Sequence, residues 1–192
     1  MGLNASHHLL GQLVNVLEAS RMEANAVEIK KEPTRMRALA EQWKESAAAT
    51  NHRLGKSIEI NLEIAQTTPE LWNLDPVRVT QIVNNLIDNA LKFTQEGQVL
   101  IAMGPGFNAD QASLGISVSD TGCGIPESKR DVVFDRFAQI DDGETRETSG
   151  SGLGLSISRG LAELMGATLE IEQGSAKDCY STTMKLELFS DT

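Results

Sequence analysis

An α/β domain is what this 192-residue sequence predicts, and two kinds of periodicity predict it. Val79, Ile82, Val83, Leu86 and Ala90 recur at the spacing of a helix face, while Ser57-Ile58-Glu59-Ile60-Asn61-Leu62-Glu63-Ile64 alternates as a half-buried strand does. At this length one domain, with room for an appendage, buries roughly 70% of its unfolded surface, so a real core is available.

Along the chain, Leu9, Leu10, Leu13, Val14, Val16 and Leu17 predict an amphipathic helix over about Asn4 to Ala24, whose wide apolar stripe needs a partner. After the break at Pro33, Met36, Leu39, Ala40, Trp43 and Ala47 predict a second helix from Thr34 to about Thr50. The strand Ser57 to Ile64 follows. Asp75 then offers a cap acceptor, and Pro76 sits at the one helical position where a missing N–H costs nothing, so a helix is expected at about Asp75 to Gln95. Gln98 to Met103 and Leu114 to Ser119 predict two strands of a hairpin around Gly104-Pro105-Gly106, and Thr168 to Gln173 and Thr182 to Phe189 predict two more. Between these pairs, Asp120 to Gly152 is rich in Gly and Asp with little periodicity, and a loop of that length inside a compact domain is usually functional.

Composition excludes several functions. The formal charge of −10 argues against a nucleic-acid groove, so no nucleic-acid partner is expected and any phosphate must be held locally. Cys123 and Cys179 form no CxxC pattern and read as reduced thiols of a cytoplasmic protein. No run approaches the roughly 18 apolar residues of a membrane span. Met1 to Ser6 matches an N-myristoylation pattern but reads as the edge of a fragment, so no lipid anchor is expected.

Three motifs carry chemistry. At about 100° per residue, Asn85, Asn89 and Lys92 fall within roughly 60° of one another, on a face turned about 100° from the apolar stripe of the same helix. That face suits a metal and a phosphate. Asp120-Thr121-Gly122-Cys123-Gly124-Ile125-Pro126 ends a predicted strand, where a buried carboxylate could accept a hydrogen bond from an exocyclic amine while glycines let a flat base approach. Adenine carries that amine and guanine an acceptor, a mismatch of roughly 1–3 kcal/mol, or about 5- to 150-fold in favour of ATP. The bland alternative is a Gly-rich turn with a solvated Asp. Gly150-Ser151-Gly152-Leu153-Gly154-Leu155 leads into a helical pattern stopped by Gly166, which leaves N–H groups free for phosphate oxygens. It lacks the Lys-Ser/Thr of a P-loop.

The order of Asn85-x-x-x-Asn89-x-x-Lys92, Asp120-x-Gly122-x-Gly124, Phe134-Asp135-Arg136-Phe137 and Gly150-x-Gly152-Leu153-Gly154-Leu155 resembles the N, G1, F and G2 boxes of sensor histidine kinases, most of all the hybrid kinases of two-component systems. The resemblance covers about Arg53 to Phe189. It implies the two-layer sandwich of a mixed sheet backed by helices that gyrase, Hsp90 and mismatch-repair ATPases share. It implies ATP and Mg²⁺ as ligands, with Asn89 on the metal, Asn85 and Lys92 on phosphates or the metal shell and named as catalytic, and Asp120 on the adenine amine. Gly122, Gly124 and Ile125 shape the base pocket, Phe93 flanks the base, and Phe137 belongs to the same site. Asp141 to Ser149 is a lid, Gly150, Ser151, Gly152, Leu153, Gly154 and Leu155 lie near the phosphates, and Thr182 completes the adenine contact. In the ATPase cousins a Glu that activates water stands where this chain has Asn85, an amide without useful basicity, so rapid hydrolysis is not expected.

The phosphoacceptor box of the family is absent, since His7, His8 and His52 all lie in other contexts. Residues 1–28 resemble the second helix of a dimerisation hairpin, and 29–192 the catalytic domain. The implied partners are a phosphoacceptor helix of the same or another protomer, a response regulator or receiver domain, and a second copy of the parent protein; the fragment is expected in the cytoplasm, with an inner-membrane anchor of the parent protein as one option. Gln139 stands where many non-hybrid members carry an Arg, with Arg146 or Arg136 as substitutes, and 176–181 lacks the glycine usual before Thr182. Two other classes remain open: a regulatory module of kinase fold that pairs with another kinase, and a clamp-type ATPase.

Overall fold

The computed structural model describes residues 13, 16–22, 24, 26–107, 112–138, 152–173 and 180–190. Strand β1 (Glu32–Arg35) leads into helix α1 (Met36–Arg53), strands β2 (Glu59–Ile64) and β3 (Leu71–Leu74), helix α2 (Pro76–Phe93), strands β4 (Gln98–Pro105) and β5 (Ser113–Asp120), helix α3 (Gly154–Leu164) and strands β6 (Thr168–Gln173) and β7 (Thr182–Phe189). Five strands form one mixed sheet in the order β2-β4-β5-β7-β6. Only β2 and β4 run parallel, with Glu59 opposite Gln98 and Ile64 opposite Met103. The hairpin of β4 and β5 is antiparallel, as Gly104-Pro105-Gly106 suggests.

The helices cover one face of this sheet. α1 packs on α2 and β2, α2 on α3 and β5, and α3 on β6. The predicted stripe of α1 is fully inside: Met36, Ala40 and Ala47 have no exposed surface, and Trp43 passes its indole N–H to Thr80 Oγ1 on α2 at 3.1 Å. Val79, Ile82, Val83, Leu86 and Ala90 of α2 are likewise buried, joined by Ile87 and Leu91. They meet Val99, Ile101, Ile116, Val118 and Leu186 from the sheet. Burial of each such side chain contributes about 1.5–3 kcal/mol, which makes this layer the main source of stability.

Two short strands escape the sequence reading. β1 and β3 pair antiparallel as a separate two-stranded sheet, with Thr34 opposite Trp72, so Thr34 is strand and α1 begins at Met36. Four-residue strands give too few alternations to register, and Pro33 is tolerated because the sheet is all edge. β2 starts at Glu59, leaving Ser57 outside, and α2 stops at Phe93, short of Gln95.

Residues 16–22 are helical within the predicted Asn4 to Ala24 segment; the rest of that segment, apart from Leu13 and Ala24, lies outside the described residues, as do His7 and His8. Ala19 and Met22 pack against the core, Glu18 meets Arg78 of α2 at 2.6 Å, and Leu13, Val16 and Leu17 remain 60%, 51% and 65% exposed. No helix among the described residues is long and apolar enough to cross a membrane.

Candidate functional site

Helix α2 owes its placement to the residue that caps it. Asp75 accepts from Val77 N–H and Arg78 N–H at 3.0 Å each through one oxygen and from Lys30 N–H at 2.8 Å through the other. At the other end the ammonium of Lys56 donates to the carbonyls of Leu91, Lys92 and Thr94 at 2.7, 3.1 and 2.6 Å. A cation against the last carbonyls of a helix is favoured by the helix dipole. Fixed at both ends, α2 presents the half-buried Asn85, Asn89 and Lys92 away from the core. Partial burial lowers the Lys92 pKa, and its ammonium lies 4.8 Å from the centre of the Phe93 ring, which is 42% exposed.

Helix α3 begins beside that face. No side chain caps it, and its first turn holds no acidic residue. Its opening N–H groups therefore find no side-chain partner at the cap, the arrangement that receives phosphate oxygens. Asn85 lies across this turn. Its Nδ2 donates to Ser158 Oγ at 2.9 Å, and a methyl group on Gly154 would fall 2.2 Å from its Oδ1. A side chain at position 154 would displace the Asn85 amide from this place.

Asp120 closes the sheet side. It ends β5, is 8% exposed, and sits opposite Thr182 in the register with β7; Ser181 N–H donates to its carbonyl at 2.7 Å. Its carboxylate Oδ1 accepts from Gly122 N–H at 2.9 Å. Burial pushes its pKa up to about 6, against the lowering effect of that one backbone donor. The turn carries the site back to α2, since a Cβ on Gly122 would fall 2.5 Å from the Phe93 carbonyl oxygen. Gly124 and Ile125 follow, both half-buried, with Ile125 packed against the core.

The third wall is a strained one. Phe137 has φ 62°, the only positive value outside glycine among the described residues, and its N–H donates to Gly152 O at 2.9 Å. Gly152 answers with φ 69° and leaves no room for a side chain, whose Cβ would lie 2.7 Å from the Phe137 backbone. Such backbone costs about 1–3 kcal/mol and persists where the surroundings enforce it. Leu153 is buried and Leu155 packs on the core, so these two anchor the loop. Gly150, Ser151, Gln139, Arg146 and the lid Asp141 to Ser149 lie outside the described residues.

The donor set fits a hard cation bound with a nucleotide. No cluster of three His, Cys, Asp or Glu able to hold a metal occurs among the described residues, so the protein ligands would be carboxamide oxygens, completed by phosphates and waters as Mg²⁺ prefers. A surface hollow lined by Ile64, Met103, Phe107 and Gly115 lies toward the other end of β5 and contains none of these groups. Sequence periodicity brings out Asn85, Asn89, Lys92 and Asp120 but misses Lys56 and Ser158, whose partners lie 35 to 73 residues away.

Residues 74–189 match the family model described as histidine kinase-, DNA gyrase B-, and HSP90-like ATPase. The chain is 36% identical over 167 residues to the virulence sensor protein BvgS of Bordetella pertussis, covering 86% of this chain and 13% of that protein. It is 34% identical over 187 residues to the autoinducer 2 sensor kinase/phosphatase LuxQ of Vibrio vulnificus, covering 96% and 21%. Among solved structures, full-length ShkA in complex with AMPPNP superimposes with a TM-score of 0.81 at 29% identity, over 98% of this chain and 37% of that one. The chain thus spans about an eighth to a fifth of these curated relatives.

Proposed function

The chain belongs to the histidine kinase-, DNA gyrase B- and HSP90-like ATPase family, as an ATP-binding catalytic domain of the sensor histidine kinase kind, and we propose that it binds ATP with Mg²⁺ and passes the γ-phosphoryl group to a histidine outside this fragment. One observation carries this reading: Asn85 of α2 packs against Gly154 at the uncapped start of α3, while the turn after the buried Asp120 packs against the C-terminal end of the same α2.

In this scheme Asp120 accepts the adenine amine through the oxygen that Gly122 does not use, Phe93 flanks the base, and Gly122, Gly124, Ile125 and Thr182 shape the pocket. The phosphates rest on the α3 start, with Gly150, Ser151, Gly152, Leu153, Gly154, Leu155 and Phe137 around them. Lys92 adds positive charge near the phosphates. Mg²⁺, held by Asn89 with the nucleotide's oxygens, would supply charge neutralisation. The imidazole nitrogen of the acceptor attacks the γ-phosphorus in line as the bond to the bridging oxygen of ADP breaks, and catalysis comes from positioning and charge stabilisation. Asn85 cannot take a proton from water, which spares the γ-phosphoryl group for that acceptor.

Residues 1–28 act as part of a dimerisation hairpin and 29–192 as the catalytic domain. Partners are the phosphoacceptor helix in the same or a second protomer, a receiver domain downstream, and a second copy through the hairpin. The domain works in the cytoplasm, with the parent protein anchored in the inner membrane. The exposed Leu13, Val16 and Leu17 also favour a second reading, in which the chain regulates another kinase by pairing with it.

Calorimetry with a non-hydrolysable ATP analogue, with and without Mg²⁺, tests the proposal. Binding at micromolar to millimolar analogue that strengthens with Mg²⁺, and loses that gain in Asn89→Ala, is the expected result. Equal heats for both proteins remove the metal assignment. No binding at all, with stable complexes formed through residues 4–24, favours the regulatory reading.

A further inference from the structure

We propose that residues 18–22 are a releasable latch, which holds the catalytic domain against one side of its own N-terminal helix and leaves the opposite, apolar side of that helix open to pair. The contacts belong to this chain alone; their use in phosphoryl transfer rests on the reading above. Residues 16–22 are helical. Glu18 is 8% exposed and meets Arg78 of α2 at 2.6 Å, and the same Nη1 of Arg78 donates to Gln81 Oε1 at 3.0 Å. Met22 reaches α3, where a Cβ built on Gly160 would overlap its methyl group, and both Ala19 and Met22 pack against the core. The segment thus bridges α2 and α3.

At about 100° per residue Glu18, Ala19 and Met22 fall within roughly 100° of one another, and the exposed Val16 and Leu17 centre roughly 160° away. The two faces can be occupied together. Two ions taken out of water lose hydration that their mutual attraction barely offsets, and both regain it when the segment lifts off as a unit. A methionine side chain is unbranched and adapts to either surrounding. The ion pair therefore fixes where the helix sits more than how tightly, and the stripe on its far side stays free for the hairpin partner proposed above. Docked and lifted states close in free energy are what a switch between a held and a released catalytic domain needs.

The test follows the Met22 methyl signal by NMR in the full chain labelled at its methionine methyl groups, with Met22→Leu to assign it, together with hydrogen exchange of the 18–22 amides. Arg78→Leu and Glu18→Leu each leave one charge buried without its partner, so the segment lifts. The methyl signal then moves to the position of an exposed methionine and exchange at 18–22 speeds by about tenfold or more, while exchange in α2 and α3 is unchanged. Combining Glu18→Leu with Arg78→Leu is expected to dock the segment again, since two apolar side chains need no water. Val16→Lys with Leu17→Lys, both good helix formers on the far face, leaves the methyl signal in place. A signal that stays put in both single variants overturns the proposal, as does faster exchange in α2 and α3 along with 18–22, which makes the contact ordinary core packing. A doubly apolar chain that stays lifted, or a lysine pair that lifts the segment, overturns it too. The nucleotide reading is decided separately: if Asn89→Ala keeps its Mg²⁺ gain that reading fails, and the latch stands or falls by the Met22 signal alone.

Discussion

Two aspartates, Asp75 at the start of α2 and Asp120 at the end of β5, are buried to nearly the same degree, 4% and 8% exposed, yet the fold treats them in opposite ways. Asp75 receives three backbone N–H groups across both oxygens. Asp120 receives one, from Gly122, and its other oxygen takes none among the described residues. Burial raises the pKa of Asp120 to about 6 because so little compensates its charge. A satisfied buried carboxylate holds structure together; an under-satisfied one at a pocket rim is held ready for a ligand.

The sharpest break of this contrast is the neutral isostere. Asp120→Asn is expected to weaken analogue binding by about 5- to 150-fold, since an adenine amine loses its charged acceptor. The same change should stabilise the empty protein. A shift from 3.8 to about 6 corresponds to as much as about 3 kcal/mol of burial cost above pH 6, which the amide removes. Calorimetry and thermal melting at pH 7 therefore move in opposite directions, and a loss of both would place Asp120 with Asp75 as a structural group. Asp75→Ala should behave in the converse way. Losing the cap of α2 and orphaning Lys30 N–H costs about 2 kcal/mol of stability, seen as a lower denaturant midpoint, while nucleotide affinity at low temperature stays within about twofold.

How far the sequence shows this division depends on the range of the contacts. Asp75-Pro76 announces the α2 start because a cap is chemistry within three residues, and the stripes of α1 and α2 are legible because one face repeats over 18 residues in each. Asp120 is legible as a strand-end carboxylate before glycines, but its lack of compensation is a property of the fold. β1 and β3 are invisible, each being four residues long. Lys56 and Ser158 look like a loop charge and a helix-surface serine; only the tertiary approach of α2 gives them partners. The hydrophobic framework is local and repetitive, while the supports of the site are single long-range contacts.

A pH series sharpens the same contrast at a smaller amplitude. Asp120 carries its raised pKa in the folded state, so the folded protein retains a proton that the unfolded chain releases between about pH 4 and 6. Its contribution to stability is therefore greatest below the unfolded value and is lost as pH rises through about 6, the reverse of a well-partnered carboxylate. Ligand affinity runs the other way. Analogue binding should fall about tenfold for each pH unit below the folded pKa, flatten above it, and lose this dependence in Asp120→Asn. A binding curve that is flat from pH 5 to 7.5 in the parent protein would sink the assignment of Asp120 to the base.

The smallest effect falls on a residue that supports both ends of the comparison. Lys56 ties the carbonyls of Leu91, Lys92 and Thr94, and the carbonyl of Phe93 between them is the atom against which Gly122 packs. Its ammonium thus holds the end of α2 that touches the Asp120 turn, opposite the end that Asp75 holds. Lys56→Met keeps the aliphatic stem and leaves the three carbonyls without their cationic donor, at a cost of about 1 kcal/mol. Affinity should drop about two- to fourfold through loosened placement of Phe93 and Gly122, with the Mg²⁺ gain intact because Asn89 lies a turn away. If Lys56→Met instead matched Asp75→Ala in lost stability and left affinity untouched, Lys56 would be a helix cap and nothing more, and the C-terminal end of α2 would belong with the framework.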